Sequence, residues 1–293
     1  MDFATFLIQC LNALQYGLLL FLVASGLTLI FGIMGVINLA HGSFYMIGAY
    51  MAYALAPIVA STFGGGFFAT VAFGLVIAVI LGYVLEWAFF SFLYEREHLQ
   101  QVLMTYGLIL VFEELRSLLV GDDVHGVAPP AILSGSLPLG ELMTYPVYRL
   151  FISAVCLLLA LGMYFVFTRT RLGMMIRAGS TNREMVQSLG VDIKFLYRVV
   201  FAAGVAIAVF AGMVAAPVSS VYPGMGSSVL IICFVVVVIG GIGSIRGALA
   251  AALLIGVVDT FGKVLLPQAA GVLVYVLMAL ILLWKPDGLF KAG

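Results

Sequence analysis

Asn38, His41, Gly42, Ser43 and Tyr45 lie close together in a stretch of chain otherwise almost free of polar groups. On a continuous helix Asn38, His41 and Tyr45, spaced i, i+3 and i+7, share one face. In a lipid-embedded segment such a polar stripe faces the bundle interior or a water-filled path. Gly32 and Gly35 interrupt the apolar run just before it, and interrupted helices recur beside transport sites. The same residues also suit a helix-capping turn at the inner surface, with Asn38 as cap and His41 bonded to a backbone carbonyl. Both readings stand on the residues alone.

The charges come next. Glu86 falls about two turns inside an apolar run with no partner nearby in sequence, which calls for a contact with another span or subunit, or else a proton relay. Glu113, Glu114 and Arg116 sit together, and Asp259 and Lys263 form an acid-first i, i+4 pair. An isolated charge in hydrocarbon costs at least ~2.5 kcal/mol, so pairing is expected for Glu113–Arg116 and Asp259–Lys263.

A glycine-rich run, with Gly240, Gly241, Gly243 and Gly247, precedes an apolar segment. It has neither the GK[ST] ending of a phosphate-binding loop nor the setting of a dinucleotide fingerprint. Gly243 and Gly247, four apart, suit close helix packing, beside a cytosolic turn anchored by Arg246. No catalytic constellation emerges. His41, His98 and His125 fall at different depths or sides and cannot share a metal. HExxH, GxSxG and nucleotide-binding motifs are missing, so no cofactor is expected on this chain, and ATP would have to be hydrolysed by a partner.

The elements that position these groups are membrane helices. The chain has 293 residues, 64% of them hydrophobic and 9% charged, with zero formal net charge, and mean hydropathy is +1.23. A soluble domain is typically ~25% charged. Neutrality removes any electrostatic case for nucleic acid. No charged residue lies between Phe3 and Leu85, or between Val199 and Ile245, and each run exceeds the ~20 residues that cross a bilayer. Long continuous runs argue for helices over barrel strands. The fold class is therefore an all-α polytopic bundle of eight or nine spans: about Phe6–Gly32, Asn38–Ala60, Phe67–Phe92, Val102–Val120, Val147–Phe167, Val199–Ala216, Val229–Ile239, Ala248–Leu266 and Gly271–Trp284. The N-terminus lacks a basic leader region and reads as a retained span. Cys10, Cys156 and Cys233 are apolar packing residues.

Six of the thirteen Lys and Arg residues lie in Thr168–Arg198. Excess positive charge marks the cytosolic side, so this insert is inside, with Lys285, Lys291 and the Tyr94–Gln101 turn. The acidic Gly121–Pro146 loop is outside. Nine spans put the N-terminus outside and the C-terminus inside. The chain divides into a membrane half (1–168), the insert (169–198) and a second membrane half (199–293). The insert reads as a short amphipathic helix, a turn at Leu189-Gly190-Val191, and the start of the next span. Met175, Ala178, Met185 and Leu189 can form its apolar face, with Arg177, Arg183 and Glu184 largely opposite. It is either a partner-gripping element or an ordinary positive-inside loop.

Three blocks carry a family resemblance. GLTLIFGIMGVINLAHGSFYMIGAY (Gly26–Tyr50) resembles the opening signature of LivH-type permeases of branched-chain amino acid ABC importers. RLGMMIRAGSTNREMVQSLGVDIKFLYRVVF (Arg171–Phe201) resembles their cytosolic coupling segment, and GGIGSIRGALAAALLIGVVD (Gly240–Asp259) their late glycine-rich segment. The resemblance implies a bacterial inner-membrane subunit paired with a LivM-like permease. Two LivG/LivF-like cytosolic ATPases using ATP and Mg would power it, and a periplasmic binding protein would deliver substrate at the acidic outer loop. Arg177, Ala178, Glu184, Ser188, Leu189 and Gly190 would couple to the ATPases. Asn38, His41, Gly42, Tyr45 and Glu86 are candidates for the translocation pathway. Asn38-Leu39, where Asn-Phe is frequent, and Ser43, where an acidic residue is common, leave substrate open among aliphatic amino acids, urea, amides and aromatic acids. A self-contained secondary transporter or channel is the alternative class.

Overall fold

The computed structural model describes residues 3–94, 96–138 and 144–290. Parts of three expectations lie outside these: the retained N-terminus at Met1 and Asp2, the tip of the outer loop, and Lys291 in the tail. The described chain is all-helical apart from one small hairpin. Its helices are α1 (Phe3–Met34), α2 (His41–Phe63), α3 (Phe67–Ala88), α4 (His98–Val120), α5 (Val147–Arg169), α6 (Arg171–Thr181), α7 (Arg183–Ser188), α8 (Ile193–Ala215), α9 (Met225–Gly240), α10 (Ile245–Leu265) and α11 (Ala270–Trp284). Strands β1 (Ser136–Pro138) and β2 (Thr144–Pro146) pair antiparallel in the loop before α5. Each expected span overlaps a helix, though α4, over the expected Val102–Val120, is not among those long and apolar enough to cross a membrane. Six are long and apolar enough to cross a membrane, and α9 and α11 are shorter apolar helices.

The axis of the bundle is α1. Its residues Leu18 to Ile30 are buried on every side, as expected of a helix apolar all round. It runs antiparallel to α10, with Gly17 against Ala252 and Leu253, Gly256 against Ala13, and Gly32 against Gly243. Small residues let backbones approach this closely in lipid, where packing rather than hydrophobic exclusion holds helices together. The close packing expected of Gly243 and Gly247 is present, but the two glycines do not share a helix. Gly243 occupies the turn between α9 and α10 at φ +79, and Gly247 packs instead on Gly240 across that turn. A pattern four apart in sequence cannot say which glycine has left the helix.

The start of α2 differs more from expectation. The helix begins at His41, not Asn38, after non-helical residues 35–38 that open on Gly35 at φ +64. Asn38 therefore shares no helical face with His41 and Tyr45. It is not the cap either, since Ala40 holds that position without a side-chain bond. His41 Nε2 lies 2.9 Å from the Val23 carbonyl. Val23 to Met34 is about 16 Å of helix at 1.5 Å per residue, so α2 starts near the middle of the bundle rather than at its inner surface. A second gauge agrees: Gly26 touches both His41 and Gly204, and Gly204 lies about 16 Å along α8 from Ile193.

Candidate functional site

Two helices begin at this depth. The first turn of α9 packs on that of α2, Gly226 against Gly42, so tightly that a β-carbon at Gly42 would overlap the Gly226 carbonyl. The residues leading into α9 are tied to the loop after α4 by paired backbone bonds, His125 N to Val221 O at 2.9 Å and Val221 N to His125 O at 2.8 Å. Non-helical backbone at membrane depth is tolerated only where protein or a water-filled cavity surrounds it. Val36, Asn38 and Ala40 are accordingly 0% exposed. Neither amide atom of Asn38, nor His41 Nδ1, has a hydrogen-bond partner among the described residues. Of the sequence-level pathway candidates, Asn38, His41, Gly42 and Tyr45 thus share one buried region at mid-depth.

Glu86 stands apart, near the C-terminal end of α3. Its carboxylate accepts from Tyr94 Oη at 2.6 Å and from Arg198 Nε of α8 at 3.1 Å. The expected contact with another span is present. The expectation of no local partner is corrected by Tyr94, because the chain turns back after α3 and returns this phenol to the helix end. Burial, and then bonding to the Glu86 carboxylate, hold the Tyr94 phenol above the ordinary tyrosine range. The two local pairs form as expected: Arg116 Nε–Glu113 at 3.3 Å and Lys263–Asp259 at 2.6 Å. Arg116 also reaches Asp122 at 2.8 Å, and that hydrogen bond holds the Asp122 carboxyl below its usual range.

The insert after α5 is two helices, not one. Thr170 caps α6 by accepting from Gly173 N, and Asn182 ends α6 while capping α7 by accepting from Met185 N. These short polar side chains satisfy orphan N–H groups at helix starts. Gly190 supplies the turn into α8 at φ +84, and Asp192 caps α8 by accepting from Phe195 N.

The expected apolar face is corrected. Met175 packs half-buried against the core as expected, but Gly173, Ile176, Gly179 and Val186 are the buried residues, whereas Ala178, Met185 and Leu189 are exposed, Leu189 at 79%. The break at Asn182 shifts the helical phase between the two pieces, so one continuous wheel misassigns both. Arg183 also turns inward: its Nη2 donates to the Met34 carbonyl at 2.7 Å and its guanidinium lies 5.6 Å from the Tyr197 ring centre. Arg177 donates to the Phe167 carbonyl. Outward remain Arg177, Ala178, Glu184, Met185, Ser188, Leu189 and Gly190. This patch mixes apolar and charged groups and rides directly on α8.

Comparison with known proteins fits this architecture. The model of the family described as "Branched-chain amino acid transport system / permease component" matches residues 9–283. The chain belongs to this family of transport permeases. It is 30% identical over 294 residues to the high-affinity branched-chain amino acid transport system permease protein BraD of Pseudomonas aeruginosa, covering 97% of this chain and 95% of that one. It is 28% identical over 299 residues to the corresponding LivH protein of Escherichia coli strain K12, covering 98% and 96%. No solved structure matches. A family permease with several apolar spanning helices is a multi-pass membrane protein. Sequence reasoning missed Tyr94 and Arg198 as partners of Glu86, and Arg183 as an anchor. Only the count of unpaired charges hinted at the first two.

Proposed function

We propose that this chain is the permease subunit of a binding-protein-dependent ABC importer for branched-chain amino acids. The observation that carries this is the family match across residues 9–283. The chain crosses the bacterial inner membrane nine times, through α1–α5 and α8–α11, with its N-terminus periplasmic and its C-terminus cytosolic. It pairs with a second, LivM-like permease. Two LivG/LivF-like ATPases using ATP and Mg power the complex, coupled to this chain through the outward patch of α6 and α7, and a periplasmic binding protein delivers substrate at the acidic outer loop.

The mechanism follows the contacts. Motion imposed at Glu184, Ser188, Leu189 and Gly190 passes into α8, which is continuous with the insert through Asp192. It then passes to α2, because Gly48 and Gly212 place α2 and α8 backbone to backbone. The mid-depth start of α2, with Asn38, His41, Gly42 and Tyr45, is the moving part of the pathway. Helix starts near the midplane recur at transporter sites because their unpaired N–H groups favour anionic groups such as a carboxylate. Glu86, held by Tyr94 and Arg198, joins α3 to α8 as a strut.

The test is uptake of labelled leucine, urea, an aliphatic amide and an aromatic acid by cells carrying the complete system, with Glu184→Ala and Gly190→Val as variants. Leucine uptake that both variants abolish, at unchanged protein level, supports the reading. Preferred uptake of another substrate moves the chain to that branch of the group. Uptake by the purified chain alone, without ATP, identifies a secondary transporter or channel instead.

A further inference from the structure

The helix α4 is held by one stripe. Gln101, Thr105, Leu108 and Phe112 are its buried residues, at the three- and four-residue spacing of a single helix face. On the other side Leu103, Tyr106, Leu110 and Glu114 are exposed. Gly107 lies among them, with no atom within 4 Å of where a β-carbon would sit. Glu114 precedes the end of α4 at Val120 by about 9 Å of helix. It makes no ion pair or hydrogen bond among the described residues. The nearby cation is already engaged, since Arg116 donates to Glu113, the Gly121 carbonyl and Asp122. The outward faces of α3 and α5, by contrast, present side chains such as Val76, Ile80, Val84, Leu158 and Leu161. They carry no charge short of Arg169 at the cytosolic end of α5. Those faces suit lipid. A face with an unpaired carboxylate does not, because charges at membrane depth turn toward protein or water.

We infer that the outward face of α4 seats a transmembrane helix of a dissimilar chain, one that places a basic side chain opposite Glu114. The inference rests on the permease reading above and adds to it the location and sign of the contact. Charge complementarity selects the occupant. Glu113, Glu114, Asp122 and Asp123 outnumber the single Arg116 in this stretch of chain, and Arg116 pairs with Glu113 and Asp122, so this end of α4 is net acidic and attracts a cation. A second copy is the wrong occupant. A two-fold axis along the membrane normal turns the same face on itself and sets Glu114 against Glu114 at one depth, where like charges repel strongly in a low dielectric. Gly107 admits close approach of the incoming backbone.

The experiment uses the full chain in its native membranes, with a photoreactive phenylalanine at position 110 or 114 and, as controls, at position 84 or 158. Adducts are mapped by peptide mass spectrometry. The expected result is that positions 110 and 114 join one other polytopic chain, on a helix with Lys or Arg within a turn of the mapped residue, while the controls join lipid. Glu114→Lys then lowers recovery of that chain about tenfold, equivalent to about 1.4 kcal/mol, and converting the mapped basic residue to Glu restores it. Adducts between two copies, lipid alone at positions 110 and 114, a mapped helix without a basic residue, or full recovery with Glu114→Lys each overturn the inference. Leucine uptake by the parent cells separates the two ideas. Uptake with lipid-only adducts sinks this inference alone, and no uptake of any offered substrate sinks the permease reading.

Discussion

Gly48→Ala tests whether the backbone contact between α2 and α8 holds the bundle together. A β-carbon at Gly48 would overlap the Val209 carbonyl oxygen and come within 2.7 Å of its carbon and 2.8 Å of its Cα. Carbon atoms prefer about 3.5–4.0 Å, so the helices must part by about 1 Å. All the opposing atoms are backbone, and no side chain can swing aside. Overpacking typically costs about 1–3 kcal/mol, and this site falls at the upper end. Alanine meanwhile gains up to about 1 kcal/mol over glycine in a helix interior. The net expectation is a loss of about 2 kcal/mol. Gly162→Ala on α5 is the control, because nothing lies within 4 Å of its added β-carbon. There the propensity gain stands alone, and stability is expected to rise by up to about 1 kcal/mol. Unfolding of the detergent-purified protein by sodium dodecyl sulfate, followed by circular dichroism, compares the two. The reasoning fails if Gly48→Ala matches or exceeds the parent, or if the two variants shift stability in the same direction.

Other expectations follow from single contacts. Arg183→Ala removes the bond to the Met34 carbonyl and the contact with Tyr197. A loss of about 1.5–3 kcal/mol is expected for a hydrogen bond to a charged group, with faster amide exchange across 171–190, and unchanged exchange there would refute the anchor. His41→Leu unties α2 from α1 and should cost about 0.5–1.5 kcal/mol, the usual net worth of one hydrogen bond, measured by the same unfolding titration. The Asp122 carboxyl is held below its ordinary value by Arg116, so its contribution is present above the unfolded-state value and is lost as pH falls through the lower folded one. Amide protection at 121–123 should therefore hold from pH 8 to pH 5 and fall only below about pH 4. Loss of protection already at pH 6 would point to another group.

How much of this was legible in the chain depends on range. The existence and order of the helices were readable because burial in lipid demands long apolar runs, and the expected span of Val147 onward begins where α5 does, although α8 begins at Ile193 rather than Val199. Glu113–Arg116 and Asp259–Lys263 were readable for a similar reason: partners three or four residues apart meet on any helix. The turn at Gly190 was legible as glycine in a polar segment, and its positive φ bears that out. The faces of α6 and α7 were not, because a break at Asn182 resets the helical phase.

What the sequence determined by itself was the membrane class, the order of helices, the polar insert and the pairs within one helix, all set by neighbours along the chain. What only the tertiary structure decided was depth and partnership across it. Examples are the start of α2 beside Val23, Gly42 against Gly226, Glu86 between Tyr94 and Arg198, and Glu114 left facing outward. Those depend on how distant backbones close on one another, and in lipid that is settled by the fit of small residues, which no local periodicity records.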